Sequence, residues 1–445
     1  MTRLNGSLSR KLRFVYAMAI VAGLLTSWEH LAPSAFAQQR ISYSDILKDP
    51  DNLALNLSYA RQQIDDGDVK GASATFERVL LLYPNDEATR LLYAVVLFRL
   101  DNPDEARREL MRIEKSQSPA IRKQAKKYLS QVNLQDSRTR FTLNLTAGGQ
   151  IDTNPSANPT SERVLIADVE STADGIDTDQ SVLGVASLSM VHDLGFQAGH
   201  KVFAKASTAA IEQIEEDSLD IEATSGELGG ILNWGRLSFR PTGLISTVRL
   251  ADEQYQLEYG GKFAVSAKLS EQTNVTAEVI GTYQDFDSIS VSTSASLQSG
   301  MSYVGKLSVS TILSPAQRLS FGYQHTEKLG SVDYYKYSYD QLYLTHLWSF
   351  SNGMFVASSI KGGSKRYEGP DTLVSSKTRD DTNIRLRSTF GTPINSVLPD
   401  LLSFEIFDPF QVLFSAEYYK SESNLTNYTY DNLRGQALLN MRLDF

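Results

Sequence analysis

Apolar and polar side chains alternate along the last two thirds of the chain. Tyr255, Leu257, Tyr259, Gly261, Phe263, Val265, Ala267 and Leu269 share one parity, while Gln254, Gln256, Glu258, Lys262, Ser266 and Lys268 share the other. The same period runs through Met301–Leu313, Leu319–Tyr323, Phe410–Tyr418 and Leu433–Phe445, where Leu438 is the one apolar residue on the polar parity. Successive side chains of a strand point to opposite faces, so each segment is greasy on one side and polar on the other. Such segments place strands near 139–151, 179–193, 200–213, 222–234, 236–249, 254–269, 273–285, 298–313, 317–328, 336–350, 353–366, 382–391, 409–421 and 432–445. That is about 14, an even number, as bacterial single-chain barrels have.

The connections alternate in length. Short ones fall at Asp193–Gln197, Trp234-Gly235, Ser270-Glu271, Ser314-Pro315 and Ser351–Gly353. Longer ones fall at Asp152–Thr178, Asp285–Leu297, Leu329–Tyr335, Glu368–Asp381 and Glu422–Tyr430. Outer-membrane barrels have short periplasmic turns and longer outside loops, which puts both ends of this one in the periplasm. Gly391–Asp408 breaks the phase, being long and apolar where a short turn is due. A soluble sandwich would share the alternation. It would not account for the loop lengths, the 21 Tyr and 19 Phe available for interfacial girdles, and an aromatic last residue together. Met441, Leu443 and Phe445, on the apolar parity of the final strand, form the expected signal to barrel-assembly machinery.

Before Thr139 the period changes. Tyr59-Ala60 recurs 34 residues later as Tyr93-Ala94, Ala72 as Ala106, Phe76 as Leu110 and Val79 as Ile113. This spacing resembles tetratricopeptide repeats, with units at Leu53–Asp86 and from Glu87 onward, a capping helix over Pro119–Val132 and a second cap at Ile41–Lys48. One unit cannot bury its own apolar face, so neighbours must stack. The resemblance implies a groove for another protein at Leu57, Arg61, Ile64, Leu91, Val95 and Phe98; packing within so short an array would explain several of these equally well.

Arg10, Lys11 and Arg13, the apolar run from Phe14 to Leu25, and Ala35-Phe36-Ala37 have the layout of a secretory signal peptide cut after Ala37. The expected organisation is therefore a signal peptide at 1–37, a periplasmic helical repeat at 38–134 and an outer-membrane barrel at 139–445. In fold class this is an α+β multidomain chain, an all-α repeat followed by a transmembrane antiparallel barrel.

With no Cys, the chain has no disulfide or thiolate metal site. A net charge of −9 without a basic stripe argues against nucleic acid. His192, His200, His325 and His346 stand at no metal-ligand spacing, and no nucleophile elbow or phosphate loop occurs, so neither enzyme nor cofactor is expected. Asp152, Glu162, Asp168, Glu170, Asp174 and Asp177 gather in one acidic loop, read as a solvated surface rather than a cation site. Glu258, Lys262, Lys268, Glu278, Lys306, Arg318, Arg385, Arg387, Arg434 and Arg442 lie on the lumen parity. Mutual pairing suffices for them, and lining a conduit is the alternative.

The order of signal, short repeat array and barrel resembles the surface lipoprotein assembly modifier family. The stretch FTLNLTAGGQIDTNPSAN is similar to that family's first strand, through Gly148, Gly149, Asp152, Asn154 and Asn158. The resemblance implies delivery of client lipoproteins to the cell surface, with the repeats receiving the client and the barrel providing the exit. Implied partners are a client lipoprotein or other periplasmic protein, the assembly machinery and outer-membrane lipid. An exopolysaccharide exporter and a porin with a docking module remain the alternatives.

Overall fold

The computed structural model describes residues 40–173, 175–397 and 407–445, so the segment read as a signal peptide lies outside the described residues. The chain divides into two compact units, Met1–Asn133 and Leu134–Phe445.

The first unit is built of helices α1 (Tyr43–Lys48), α2 (Leu53–Asp65), α3 (Val69–Leu82), α4 (Glu87–Arg99) and α5 (Pro103–Ile113), with α6 (Pro119–Asp136) running out of it. Asn52, Asp68 and Asn102 each begin a helix by accepting a backbone N–H three residues on, and Pro103 follows at a position where no N–H is missed. Gly67 closes α2 with a positive φ of 82°. The 34-residue pairs become the core. Ala60 and Ala94, Ala72 and Ala106, and Phe76 and Leu110 are all fully buried. The alanines let paired helices approach, and the larger partners fill the space between them. Two clusters result, one around Ala60, Ala72, Phe76 and Val96, the other around Ala94, Leu110, Ile113, Ala125 and Val132.

The second unit is a closed antiparallel barrel of 14 strands. The strands are β1 (Thr139–Asp152), β4 (Asp179–Asp193), β5 (Lys201–Gln213), β6 (Ile221–Trp234), β7 (Leu237–Leu250), β8 (Glu253–Lys268), β9 (Thr273–Phe286), β10 (Gly300–Ser314), β11 (Gln317–Leu329), β12 (Tyr337–Ser349), β13 (Phe355–Tyr367), β14 (Asp380–Pro393), β15 (Phe410–Ser423) and β16 (Tyr430–Asp444). A hairpin of β2 (Arg163–Ile166) and β3 (Val169–Thr172) stands apart within the first long connection. Each barrel strand pairs with its sequence neighbour, and β1 closes on β16.

Closure removes every strand edge, which is what allows a sheet to face hydrocarbon. The outer face has that character: Leu228, Val279, Leu307, Phe321 and Leu342 are each more than half exposed. A water-soluble domain keeps such side chains inside. Here the inside carries Thr242, Thr282, Ser302, Thr326 and Ser415, all buried. Leu438, the parity exception, faces inward across from Gly148, where a Cβ would lie 2.2 Å from the Ala437 carbonyl and 2.9 Å from Leu438 Cδ2. The glycine makes the room that the misplaced leucine occupies.

The connections differ in length between the two ends, with three departures. The β4–β5 connection at the turn end, 194–200, is as long as the β5–β6 connection at the loop end, 214–220. Ala251-Asp252 joins β7 to β8 at the long-loop end as a tight turn with both φ positive, 49° and 62°. The apolar link after β14 begins with a helical turn, α7 (Ile394–Val397), and leaves the strand count intact.

Candidate functional site: a polar lumen latched at its loop end

In the helical unit, Leu57 and Ile64 pack on the first cluster, and Leu91 and Phe98 on the second. Arg61 is exposed and Val95 half-buried. The six residues proposed for a groove are therefore divided between the packing of the array and its surface. On β16, Met441, Leu443 and Phe445 follow the outward parity. Phe445 trades backbone hydrogen bonds with Phe141 (2.7 and 3.0 Å) and stacks on its ring at 5.6 Å between centroids.

The inward residues form a lumen of ion pairs. Lys262 reaches Glu227 at 2.8 Å and Lys306 reaches Glu278 at 3.0 Å. Glu417 is ringed by three guanidiniums, Arg385 and Arg387 at 3.9 Å and Arg434 at 3.8 Å. Arg442 pairs with Asp444 at 3.0 Å, and Lys268 with Glu271 at 2.9 Å. Arg318 and Lys361 also follow the inward parity and are exposed, yet have no ion pair among the described residues. The lumen thus combines matched charges that fix its shape with cations that form no ion pair among the described residues.

The stretch that carries the family resemblance forms the seam. Asp152 is buried at the end of β1 and receives Arg434 Nε and Nη2 at 2.9 and 2.7 Å, with Asn432 at 3.1 Å. Its Oδ1 also accepts the Asn154 backbone N–H at 3.0 Å. Asn154, buried in turn, donates to the carbonyls of Asn158 (2.9 Å) and Asp431 (3.3 Å). These residues join the first strand to the last and fix the start of the first long connection. Asp152 therefore belongs to the wall and not to an acidic loop.

That connection then crosses the loop end. The tip of the β2–β3 hairpin, Ala167-Asp168, donates its two backbone N–H groups to Leu373 and Val374 (2.9 and 3.0 Å). The Asp168 carboxylate accepts the Ser375 hydroxyl and the Ser376 N–H. These bonds, the Ser375 hydroxyl foremost, hold the Asp168 carboxyl below its usual range. Leu165 exchanges hydrogen bonds with Asn427 (2.8 and 3.1 Å), and Thr160 N–H reaches the Thr429 carbonyl at 3.0 Å. One hairpin thus latches two other connections, 368–379 and 424–429. Glu170 pairs with Arg163 at 3.3 Å, Asp174 lies outside the described residues, and no acidic or histidine cluster suited to a metal occurs among the described residues. His192, His200, His325 and His346 each contact a neighbouring strand or turn residue, such as His325 with Asp340 at 2.8 Å.

A tetratricopeptide-repeat family model matches residues 63–127. A search of curated proteins finds no match for the chain. Among solved structures it is similar to OccAB4 of Acinetobacter baumannii, at 8% identity and a TM-score of 0.34, over 70% of this chain and 100% of that one. It is also similar to OpdL of Pseudomonas aeruginosa (10%, TM-score 0.31, 69% and 99%) and to the COG4313 outer membrane channel of Pseudomonas putida F1 (12%, TM-score 0.33, 68% and 95%). At such distances the likeness carries no argument, and the reading of the barrel rests on its own geometry.

Proposed function

We propose that this chain is an outer-membrane translocation factor, in which the repeats receive a client protein and the polar lumen provides its exit. The observation that carries the reading is the joining of these parts. Only Ser137 and Arg138 separate α6 from β1, so a client held by the array is tethered to the turn end of the barrel. With short turns facing the periplasm, as in barrels of this type, that is the side from which a secreted client arrives. The family resemblance around Asp152 and Asn154 supports a lipoprotein as the client, and no chemistry of an enzyme is called on. Deletion of the gene should remove one or more lipoproteins from the surface, measured by protease shaving of intact cells. Unchanged shaving would overturn the reading.

The unpaired Arg318 and Lys361 favour a second reading, a diffusion channel with preference for anions. Reversal potentials of the purified protein in planar bilayers, with and without residues 53–132, test it. A channel would conduct anions in both forms, whereas a dedicated exit would stay closed without a client.

A further inference from the structure

The last helix of the array is charged unlike the rest of it. From Arg40 to Glu114 the sequence holds 14 acids and 10 bases, whereas from Lys115 to Gln135 it holds five bases and no acid. The overall acidity of the chain hides this end. Repeat helices stack in order, each on its neighbours, so a change along the sequence is a change along the stack. The basic end, α6, is the one that leads into β1.

Two neighbouring helices show the contrast. α5 opens with Asp104 and Glu105 and closes with Arg112, as the helix dipole favours. Its bases are matched on the helix itself, Arg107 with Asp104 at 3.1 Å, Arg108 with Glu105, and Arg112 with Glu109 at 2.9 Å. α6 has no acid in its first turn and no base in its last. Arg122 and Lys123 fall in its N-terminal half, against the dipole, and each stands four residues before another base, Lys126 or Lys127. Like charges at that spacing repel on a helix surface. The apolar face of α6 packs on the second cluster through Ala125, Tyr128 and Val132, and Lys126 and Lys127 are exposed. Packing does not call for these bases, and a counter-charge outside the chain would offset their repulsion.

Reach narrows where that counter-charge lies. The link from Asp136 to Thr139, through Ser137 and Arg138, spans about 10 Å at full stretch. β1 starts at the turn end of the barrel, where Phe141 and Phe445 stack and Trp234, 81% exposed, ends β6. Outward aromatic rings at a barrel end mark the level of the lipid headgroups. The chain therefore holds the end of α6 close to a headgroup layer. Lys126 and Lys127 stand about 15 Å back along the helix axis, so they meet that layer only if α6 lies along it. The field of an anionic leaflet fades within a Debye length of about 8–10 Å, close to the spacing of packed helices. One helix can feel it, and the bases are confined to one helix.

We propose that α6 lies along anionic phospholipid headgroups at the turn end of the barrel, its basic face against them and the rest of the array stacked behind. The chain has no Cys, so Ser130→Cys on α6 and Ser58→Cys on α2, both exposed, each give a single site for a fluorescent label. The full-length protein is reconstituted in phosphatidylcholine vesicles, with or without phosphatidylglycerol, that carry a spin-labelled headgroup as quencher. The label at position 130 should be quenched more strongly in the anionic vesicles, and the label at position 58 should respond alike in both. Molar salt, which shortens the Debye length to about 3 Å, should abolish the difference. Lys115→Gln, Lys126→Gln and Lys127→Gln combined should weaken the docked state roughly 100-fold, at about five-fold for each base removed. The proposal is overturned if quenching at position 130 is the same in both vesicles, if it survives salt and the triple substitution, or if position 58 responds equally. Shielding of position 130 only on addition of polyglutamate would assign the face to an acidic protein and overturn it too. Salt acts on a helix whose bases are intact, so the test stands where the triple variant fails to fold. Docking on lipid needs no client, so this proposal and client delivery stand or fall separately.

Discussion

The two halves of this chain use the same apolar side chains in opposite places. In the helical unit Phe76, Leu110 and Ala94 are sealed between helices, and charged residues such as Arg61 face out. In the barrel Leu307, Phe321 and Leu342 face out, and Lys306, Glu278 and Arg434 face in. The difference teaches that periodicity alone does not say which side of an element is interior. Period 3.6 with alanines at the close approaches means a core, whereas period 2 repeated around a closed ring means a wall between two solvents.

This contrast can be broken experimentally. Phe76→Ala should cost the helical unit about 3–5 kcal/mol, read from a shift in its denaturation midpoint. An outward barrel residue at a comparable truncation, Leu307→Ala, should cost far less, because no cavity forms beside fluid lipid. The charge version is sharper. Leu307→Arg should destabilise the barrel by roughly 2–4 kcal/mol in refolding into lipid vesicles, and Ser308→Arg, its inward neighbour, by close to nothing. Equal costs at the two positions would mean that the barrel has no lipid side.

The smallest effect belongs to the latch. Asp168→Ala should leave barrel stability unchanged and speed protease cleavage within 368–379. Because the folded Asp168 carboxyl is held below its ordinary value, its contribution is present above pH ~4 and lost as pH falls through the folded value. Cleavage of the unaltered protein should therefore rise toward the variant's rate only in acid. A latch insensitive to both changes would mean that the backbone bonds of Ala167 and Asp168 hold the hairpin unaided.

Much of this was legible in the sequence. Each barrel strand lies within three residues of its expected place, because hydrocarbon on one side forces a strict alternation, whereas the β2–β3 hairpin falls within a stretch expected as a loop. The 34-residue period placed the helices, since Ala60 and Ala94 must each sit at a close helix crossing. It does not separate a free face from a packed one: Leu57, Ile64, Leu91 and Phe98 suit either a groove or the packing of the array, and each lies partly buried against the unit's own clusters. Contacts between distant connections were beyond reach. Asp168 and Ser375 are separated by 207 positions, and nothing local marks them as partners. Asp152 reads as a loop residue in the sequence because its partner, Arg434, is supplied only when the ring closes.

The Asp152–Arg434 contact also ties the phase of closure to a charge pair. A strand that slips by one residue turns every side chain to the opposite face. Were the last strand to dock on the first in the wrong phase, a carboxylate or a guanidinium would be driven into hydrocarbon, and such a closure would reopen. The seam that completes the wall thus carries a charge penalty against a misaligned one.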